Sequence, residues 1–151
     1  MQLPSFSLPD QFGVMHTSQQ YQGSWVVLYT YPKDGTPGCT AQACQFRDMT
    51  SDFKTRGVVV LGLSADSQKS HDSFATKHQL QFPLLADPQH ELIEELGAWA
   101  PKKLFGKEFL GVKRDTFLIN PQGEIVKEYR NVNPLTNPSA VLRDLDELIK
   151  S

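Results

Sequence analysis

The two cysteines of the chain, Cys39 and Cys44, lie close together in the stretch YPKDGTPGCTAQACQFR, residues 31–47. If Thr36 is the N-cap of a helix, Pro37 takes the first helical position, where the missing N–H leaves no hydrogen bond unmade. Cys39 then lies in the first turn, facing unpaired amides and the positive end of the helix dipole. This pattern indicates a reactive thiolate with a second thiol nearby, and therefore redox chemistry.

The helix dipole alone does not ionise a thiol at neutral pH. A free thiol with a pKa of about 8.5 is only about 3% ionised at pH 7, and making most of it thiolate takes about 3.4 kcal/mol. A helix terminus supplies about 0.3–1 kcal/mol, or about 2 kcal/mol when partly buried. A guanidinium at about 4 Å contributes about 4 kcal/mol before desolvation, at an effective dielectric constant near 20. We therefore expect a cation beside Cys39, with Arg114 as the first candidate and Lys33 as a flexible second choice.

The spacing of the cysteines predicts that a bond between them needs a conformational change. Residues five apart on a helix have Cα atoms about 8.7 Å apart and side chains that point about 140° away from each other. A disulfide needs Cα atoms roughly 4.4–6.8 Å apart. A bond between Cys39 and Cys44 therefore requires the first turn or two of the helix to unwind.

Strand and helix patterns alternate along the chain. The runs at 24–31 and 58–64 are continuously apolar and β-branched, which is typical of central strands covered on both faces. Further strands are predicted over 82–86, 112–119 and 124–129, and helices over 39–55, 67–78, 88–96 and from Asn137 onward. This order predicts one α/β sheet with helices on both faces, in which Cys39 follows the carboxyl end of a central strand, where such sheets hold their sites.

Length and charge restrict the class of protein. A chain of 151 residues is expected to form a single domain over residues 1–151. A formal net charge of −2 gives no broad electrostatic reason to bind nucleic acid or an anionic membrane. The N-terminus lacks the pattern of a signal peptide, the apolar runs are too short to span a bilayer, and two cysteines do not form a secreted disulfide framework. We expect a soluble cytoplasmic protein that binds neither nucleic acid nor membrane.

The segment PKDGTPGCTAQACQFRD resembles the active-site signature of the peroxiredoxins, specifically of the bacterioferritin-comigratory or Q-type subgroup. Pro32, Thr36 and Cys39 match the family motif of proline, three residues, threonine, two residues and cysteine. The similarity extends over nearly the whole chain, through PSFSLPDQFG, VVVLGLSADS, FPLLADP and GVKRDTFLINPQGEI. The resemblance implies a thioredoxin fold with peroxiredoxin additions, whose mixed central sheet is flanked by helices on both faces.

The resemblance also implies a thiol-dependent peroxidase that reduces hydrogen peroxide and organic hydroperoxides. Cys39 would be the peroxidatic cysteine, and Cys44 the resolving cysteine that forms an intramolecular disulfide with it. Thr36 would contact the peroxide, Pro32 would shield the pocket, and Arg114 would hold both the thiolate and the peroxide. Thioredoxin would reduce the disulfide, with glutaredoxin as the alternative reductant. No cofactor is needed, and a monomer is expected because the subgroup is often monomeric.

Two segments depart from the family pattern or lie outside it. Asp115 stands where the pattern usually has a small hydroxyl residue. It could pair with Arg114 and weaken the pull of the guanidinium on Cys39, although alternation along a strand points Asp115 to the other face. The basic, aromatic stretch before this strand is interpreted as an ordinary surface loop, with contact to a reductant or substrate as the alternative. It contains Lys102, Lys103, Phe105, Lys107 and Phe109.

Two other functions remain open from the residues alone. A thioredoxin-like disulfide reductase or isomerase would normally carry C-x-x-C, which this spacing does not provide. A thiol-based metal carrier or redox-sensing module would hold a soft ion with Cys39, Cys44 and a histidine. The histidines are scattered, and His71 and His78 are interpreted as sharing a solvated helix face, so we predict no structural metal.

Overall fold

The centre of the protein is a mixed β-sheet, seen in a computed structural model that describes residues 1–150. The strands along the chain are β1 (Ser7–Pro9), β2 (Met15–Thr17), β3 (Trp25–Thr30), β4 (Val58–Ser64), β5 (Leu84–Ala86), β6 (Trp99–Leu104), β7 (Lys107–Val112), β8 (Thr116–Ile119) and β9 (Ile125–Tyr129). Five of them form the sheet in the spatial order β5-β4-β3-β8-β9. In it, β3, β4 and β5 are parallel, whereas β8 is antiparallel to both β3 and β9.

Helices cover both faces of the sheet because β3 is apolar on both sides. The helices are α1 (Pro37–Asp48), α2 (Thr50–Thr55), α3 (Gln68–His78), α4 (Glu91–Glu95) and α5 (Asn137–Lys150). Val27 and Tyr29 share a buried cluster with Phe46 of α1, whereas Leu28 packs in a second cluster with Ile93 of α4. Successive side chains of a strand point to opposite faces, so a continuous apolar run requires a layer on each side. The predicted fold class is confirmed.

Most predicted elements are present, with boundaries shifted by up to three residues. β4 has the predicted bounds, and Ser67 is the N-cap of α3, where its hydroxyl accepts a hydrogen bond from the Ser70 amide at 3.1 Å. Within residues 1–150, no helix is long and apolar enough to cross a membrane. The organisation as a single domain stays a prediction.

The prediction of one helix over 39–55 is wrong, because the helix is interrupted at Met49. This residue has φ −100° and ψ 7°, and its amide donates to Phe46 O at 3.2 Å as well as to Gln45 O at 3.0 Å. The hydroxyl of Thr50 donates to the same Phe46 carbonyl at 3.2 Å. Threonine hydroxyls compete with backbone donors in this way, so α2 starts as a separate short helix.

The interpretation of residues 102–109 as a loop is also wrong, and so is the single strand over 112–119. β6 and β7 form an antiparallel hairpin whose register runs from Trp99 opposite Val112 to Leu104 opposite Lys107. Phe105 and Gly106 form its two-residue turn with φ of 51° and 77°. Positive φ at both positions is the conformation that matches the twist of a hairpin. Residues 113–115 then separate this hairpin from β8.

Candidate active site

The first turn of α1 is positioned by a loop that leaves the carboxyl end of β3. Thr36 is the N-cap residue, with extended backbone at φ −76° and ψ 153°, and Pro37 takes the first helical position as the sequence predicts. The Thr36 hydroxyl accepts no capping hydrogen bond from the first turn, and it donates to the carbonyl of Lys33 at 2.8 Å, which closes the loop on itself. The amides of the first turn are therefore available to a bound molecule.

Cys39 lies beside the guanidinium group that the sequence predicts. Its side chain is buried, with 1% of the residue exposed, and Arg114 Nη2 donates to Cys39 Sγ at 3.4 Å. Gly38 makes this approach possible, since a Cβ at that position would lie 3.0 Å from Arg114 Nη2 and 3.6 Å from Pro134 Cγ. The start of α1 and the guanidinium of Arg114 therefore both lie at the Cys39 sulfur, as the electrostatic argument from the sequence requires.

Gln42 fixes the orientation of the guanidinium, and sequence reasoning missed it. Its Oε1 accepts from Arg114 Nη1 at 2.9 Å, and its Nε2 donates to Asn137 Oδ1 at 3.1 Å. The same Asn137 oxygen accepts from the Thr116 hydroxyl at 2.9 Å. Gln42 is fully buried and follows Cys39 by three residues, which places both on one face of α1. The feature of the sequence that could have indicated Gln42 is a glutamine three residues after Cys39, on the same face of the helix.

Asp115 does not neutralise Arg114. It is fully buried, its Oδ2 accepts from Arg130 Nη1 at 2.9 Å, and its Oδ1 accepts from the Asn131 amide at 2.9 Å. The expectation that it points to the other face is confirmed. The hydroxyl of Thr30 holds the backbone here, because it donates to Lys113 O at 2.7 Å and accepts from the Asp115 amide at 3.1 Å.

The second thiol lies farther along the same unbroken helix. Cys44 is half-buried, and both cysteines are free thiols. Because α1 is continuous from Pro37 to Asp48, the geometry agrees with the expectation that a bond between the two requires unwinding. Pro32 is half-buried directly after the buried Tyr31, whereas Lys33 is exposed.

A buried polar network holds the loop before α1. The Asp34 carboxylate accepts from the Tyr31 hydroxyl at 2.6 Å and the Ser70 hydroxyl at 2.8 Å, and lies 2.7 Å from His71 Nδ1. The Asp34 amide donates to Asp66 Oδ2 at 2.9 Å. Burial, together with the nearby Tyr29 and Asp34, raises the pKa of Tyr31 well above its usual value, which keeps the phenol a donor.

His71 corrects one prediction from the sequence. It is fully buried, so it does not share a solvated face with His78, and its Nε2 donates to the Leu85 carbonyl at 3.0 Å. Ligand atoms of Asp34, Asp66 and His71 all lie within 4.8 Å of one another. Their hydrogen bonds to the loop account for this proximity, and the expectation of no structural metal stays a prediction.

Comparison with known proteins places this arrangement in a family. The family model of AhpC/TSA matches residues 1–128. The chain belongs to the AhpC/TSA family. It is 42% identical over 145 residues to peroxiredoxin Bcp of Bacillus subtilis, covering 96% of this chain and 92% of that one. It is 41% identical over 144 residues to peroxiredoxin Bcp of Escherichia coli, covering 95% and 92%.

The fold comparison agrees with the sequence comparison. The bacterioferritin comigratory protein of Xanthomonas campestris, studied for its alkyl peroxide reduction activity, superposes with a TM-score of 0.91 at 36% identity, covering 95% of this chain and 92% of that one. The resemblance to the Q-type peroxiredoxins and the thioredoxin fold are therefore confirmed. The chain is a peroxiredoxin, a thiol-dependent enzyme that reduces peroxides and draws its electrons from a thiol reductant.

Proposed function

We propose that Cys39 is the peroxidatic cysteine of this enzyme, that Arg114 holds its thiolate and the peroxide, and that Cys44 is the resolving cysteine. The observation that carries this proposal is the 3.4 Å contact between Arg114 Nη2 and Cys39 Sγ at the start of α1. A guanidinium and a helix N-terminus directed at one sulfur both favour the thiolate, which is the nucleophilic form of cysteine.

In the first step, the Cys39 thiolate attacks one oxygen of the peroxide. The S–O bond forms as the O–O bond breaks, and the departing oxygen takes a proton and leaves as water or an alcohol, while Cys39 becomes a sulfenic acid. Arg114 and the Cys39 amide stabilise the charge that develops on the departing oxygen. Because the Thr36 hydroxyl donates to Lys33 O, its lone pairs accept the hydrogen bond of the peroxide O–H. Pro32 shields the pocket from water.

In the second step, α1 unwinds and the Cys44 thiolate attacks the sulfenic sulfur of Cys39. An intramolecular disulfide forms and water leaves, so the two electrons taken by the peroxide now come from the cysteine pair. An external dithiol restores both thiols by disulfide exchange. We assign this role to thioredoxin, with glutaredoxin as the alternative, and expect a cytoplasmic monomer without a cofactor.

The proposal favours peroxidase chemistry over the two alternatives left open by the residues. Membership of the AhpC/TSA family and the guanidinium at the Cys39 sulfur both support a peroxidase rather than a general disulfide reductase. The same guanidinium speaks against a metal carrier, since a fixed positive charge at the Cys39 sulfur opposes binding of a soft cation there.

The roles of the two thiols are separable by substitution. Cys39→Ser should abolish turnover of hydrogen peroxide. Cys44→Ser should still react once, accumulate a sulfenic acid that dimedone traps, and lose cycling with thioredoxin. Intact mass after one equivalent of peroxide distinguishes the products, because the native protein should lose two hydrogens and the Cys44→Ser variant should gain one oxygen. Retained peroxidase activity in Cys39→Ser would contradict the assignment of the nucleophile.

A further inference from the structure

The ring of His71 lies between two hydrogen-bond acceptors in the interior of the protein. Its Nδ1 lies 2.7 Å from the Asp34 carboxylate in the loop before α1, and its Nε2 lies 3.0 Å from the Leu85 carbonyl on β5. The side chain is fully buried, so bulk water does not take the place of either partner. Because a carboxylate and a carbonyl only accept hydrogen bonds, each ring nitrogen needs a proton of its own.

A neutral imidazole would not satisfy both partners. It carries one N–H, and its other nitrogen would direct a lone pair at an oxygen of Asp34 or Leu85. The proton between His71 and Asp34 belongs on the ring rather than on the carboxyl group. The Tyr31 hydroxyl at 2.6 Å and the Ser70 hydroxyl at 2.8 Å both donate to the Asp34 oxygens, and such hydrogen bonds favour the ionised carboxylate.

A second buried histidine shows that a carboxylate partner alone does not determine the protonation state. His16 Nε2 lies 2.7 Å from Asp10 Oδ2, but its Nδ1 faces the Tyr21 hydroxyl. A hydroxyl donates as well as accepts, so the neutral form of His16 satisfies both of its partners. The carbonyl that faces His71 Nε2 cannot donate, and this difference requires the second proton on His71.

The charges around the ring also favour the imidazolium form. A carboxylate oxygen of Asp66 and one of Asp34 lie within 4.8 Å of a ring nitrogen. The Tyr31 hydroxyl, 3.4 Å from Nδ1, gives its proton to Asp34. Lys69 and Lys77 of the same helix are exposed, so solvent screens their repulsion of a positive ring.

The pair of His71 and Asp34 determines where the loop before α1 lies. The Asp34 side chain is bound to α3, and its backbone amide donates to Asp66 Oδ2 at 2.9 Å. With both parts of Asp34 anchored, the adjacent Lys33 carbonyl is in place to accept the Thr36 hydroxyl at 2.8 Å. A displacement of Asp34 would therefore displace the group that orients Thr36 at the start of α1.

We propose that His71 is a buried imidazolium, protonated at both ring nitrogens at neutral pH, and that its charge-assisted hydrogen bond to Asp34 positions Thr36 for the reaction of Cys39 with peroxide. Charge-assisted hydrogen bonds are roughly twice as strong as neutral ones, so the second proton decides how firmly the loop is held. His71 acts through Asp34 and is a positioning residue. The inference rests on the proposed roles of Thr36 and Cys39.

Nitrogen NMR of the imidazole rings tests the protonation state. At about pH 8, above the ordinary histidine pKa of about 6.5, both nitrogens of His71 should have the chemical shift of a protonated nitrogen. His78, half-buried on the same helix, is the reference for a neutral ring. In Asp34→Asn, the carboxamide can donate to Nδ1, so His71 should keep one proton only. An unprotonated nitrogen in native His71, or two protonated nitrogens in Asp34→Asn, would overturn the proposal.

Stopped-flow rates with hydrogen peroxide test the positioning role. Asp34→Asn should react about fivefold more slowly at about pH 8, because a neutral hydrogen bond holds the loop less firmly and fewer molecules have Thr36 in place. His71→Gln should slow the reaction by a similar factor. The double variant should be no slower than either single variant, since the two residues act as one pair.

The matched control is His78→Gln, which changes a histidine of the same helix whose ring packs edge-on against Phe74. It should react within about twofold of the native rate. An equal loss in His78→Gln, a native rate in Asp34→Asn, or losses that multiply in the double variant would overturn the positioning role.

The ring spectra are independent of the peroxidase assignment. If Cys39→Ser kept full peroxidase activity, the proposed function would fail, yet the spectra would still decide whether His71 carries two protons. If His71→Gln does not fold, the native protein and Asp34→Asn still provide both the spectrum and the rate that the proposal needs.

Discussion

Replacing Arg114 by methionine removes the guanidinium from Cys39 while keeping an unbranched apolar stem. At 3.4 Å and an effective dielectric constant of about 20, the Coulomb attraction between a guanidinium and a thiolate is about 5 kcal/mol. Arg114 is only half-buried, so desolvation and screening reduce this value toward that of a charge-assisted hydrogen bond, about 1.5–3 kcal/mol. At 1.36 kcal/mol per factor of ten, the reaction with peroxide should slow about 10- to 150-fold.

Stopped-flow mixing of the reduced variant with hydrogen peroxide gives the second-order rate constant for the first step. Arg114→Lys should fall between the native protein and Arg114→Met, because an ammonium keeps the charge but loses the two-pronged contact with Gln42 and the sulfur. Arg143→Met is the control, since Arg143 is an exposed residue of α5 that pairs only loosely with Asp144 at 3.8 Å. A folded Arg114→Met protein that reacts within twofold of the native rate would refute the reasoning.

Three further substitutions test the elements around the site. Asp34→Ala leaves the Tyr31 hydroxyl and the fully buried His71 without their shared acceptor and should lower the free energy of unfolding by about 1–3 kcal/mol in urea titrations. Gln42→Ala removes two hydrogen bonds and should slow sulfenic acid formation several-fold but speed disulfide formation, both followed by quenched-flow mass spectrometry. Burial and the charge of Asp10 raise the pKa of Tyr21 to about 12 in the folded protein. Folding therefore favours the protonated phenol, and stability should fall between about pH 10 and 12, with a shallower fall in Tyr21→Phe.

Each of these has an outcome that would contradict it. Asp48→Ala breaks an exposed pair with Arg47 and should change the free energy of unfolding by less than about 0.5 kcal/mol. If Asp34→Ala caused a loss as small as that, the burial of the Asp34 hydrogen bonds would not contribute to stability as argued. Slower disulfide formation in Gln42→Ala would mean that this residue does not restrain the helix. A parallel decline of the Tyr21→Phe and native proteins above about pH 10 would assign the alkaline loss of stability to other groups.

The sequence predicts the parts of the site that depend on local rules. The position of Pro37 at the start of a helix follows from its fixed φ and missing donor, and the placement of Cys39 follows from the helix start. The need for a cation such as Arg114 follows from comparing free energies, because a helix dipole supplies less than the ionisation of a thiol at neutral pH requires. The orientation of Asp115 away from Arg114 agrees with the alternation expected of an extended chain, although residues 113–115 lie between β7 and β8. In each case a single element carries the information.

The missed features depend on contacts between elements. The burial of His71 is fixed by Asp34 in one loop and the Leu85 carbonyl on β5, neither of which a helical wheel shows. The sequence did not predict the hairpin of β6 and β7, because its strands are largely exposed and lack the alternation of apolar and polar residues that marks a half-buried strand. Gln42 was missed because the role of its amide depends on its hydrogen-bonding network, which includes groups from β8 and α5 that are distant in sequence.

In the proposed mechanism, α1 has to be rigid during the attack on peroxide and has to unwind before the disulfide can form, and different residues of α1 serve the two requirements. Both cysteines precede Phe46, whose ring is stacked on Tyr29 at 4.7 Å and lies 5.8 Å from Phe53. Of the buried residues of α1, Cys39, Gln42 and Ala43 lie in the turns up to Cys44, and Phe46 lies beyond them. Unwinding those turns breaks the hydrogen bonds of Gln42, and the apolar side chains that it exposes, those of Cys39 and Ala43, are small. Unwinding one turn farther would expose Phe46, at about 1.5–3 kcal/mol. The five-residue spacing therefore fits the length of α1 that opens while its aromatic anchor stays packed.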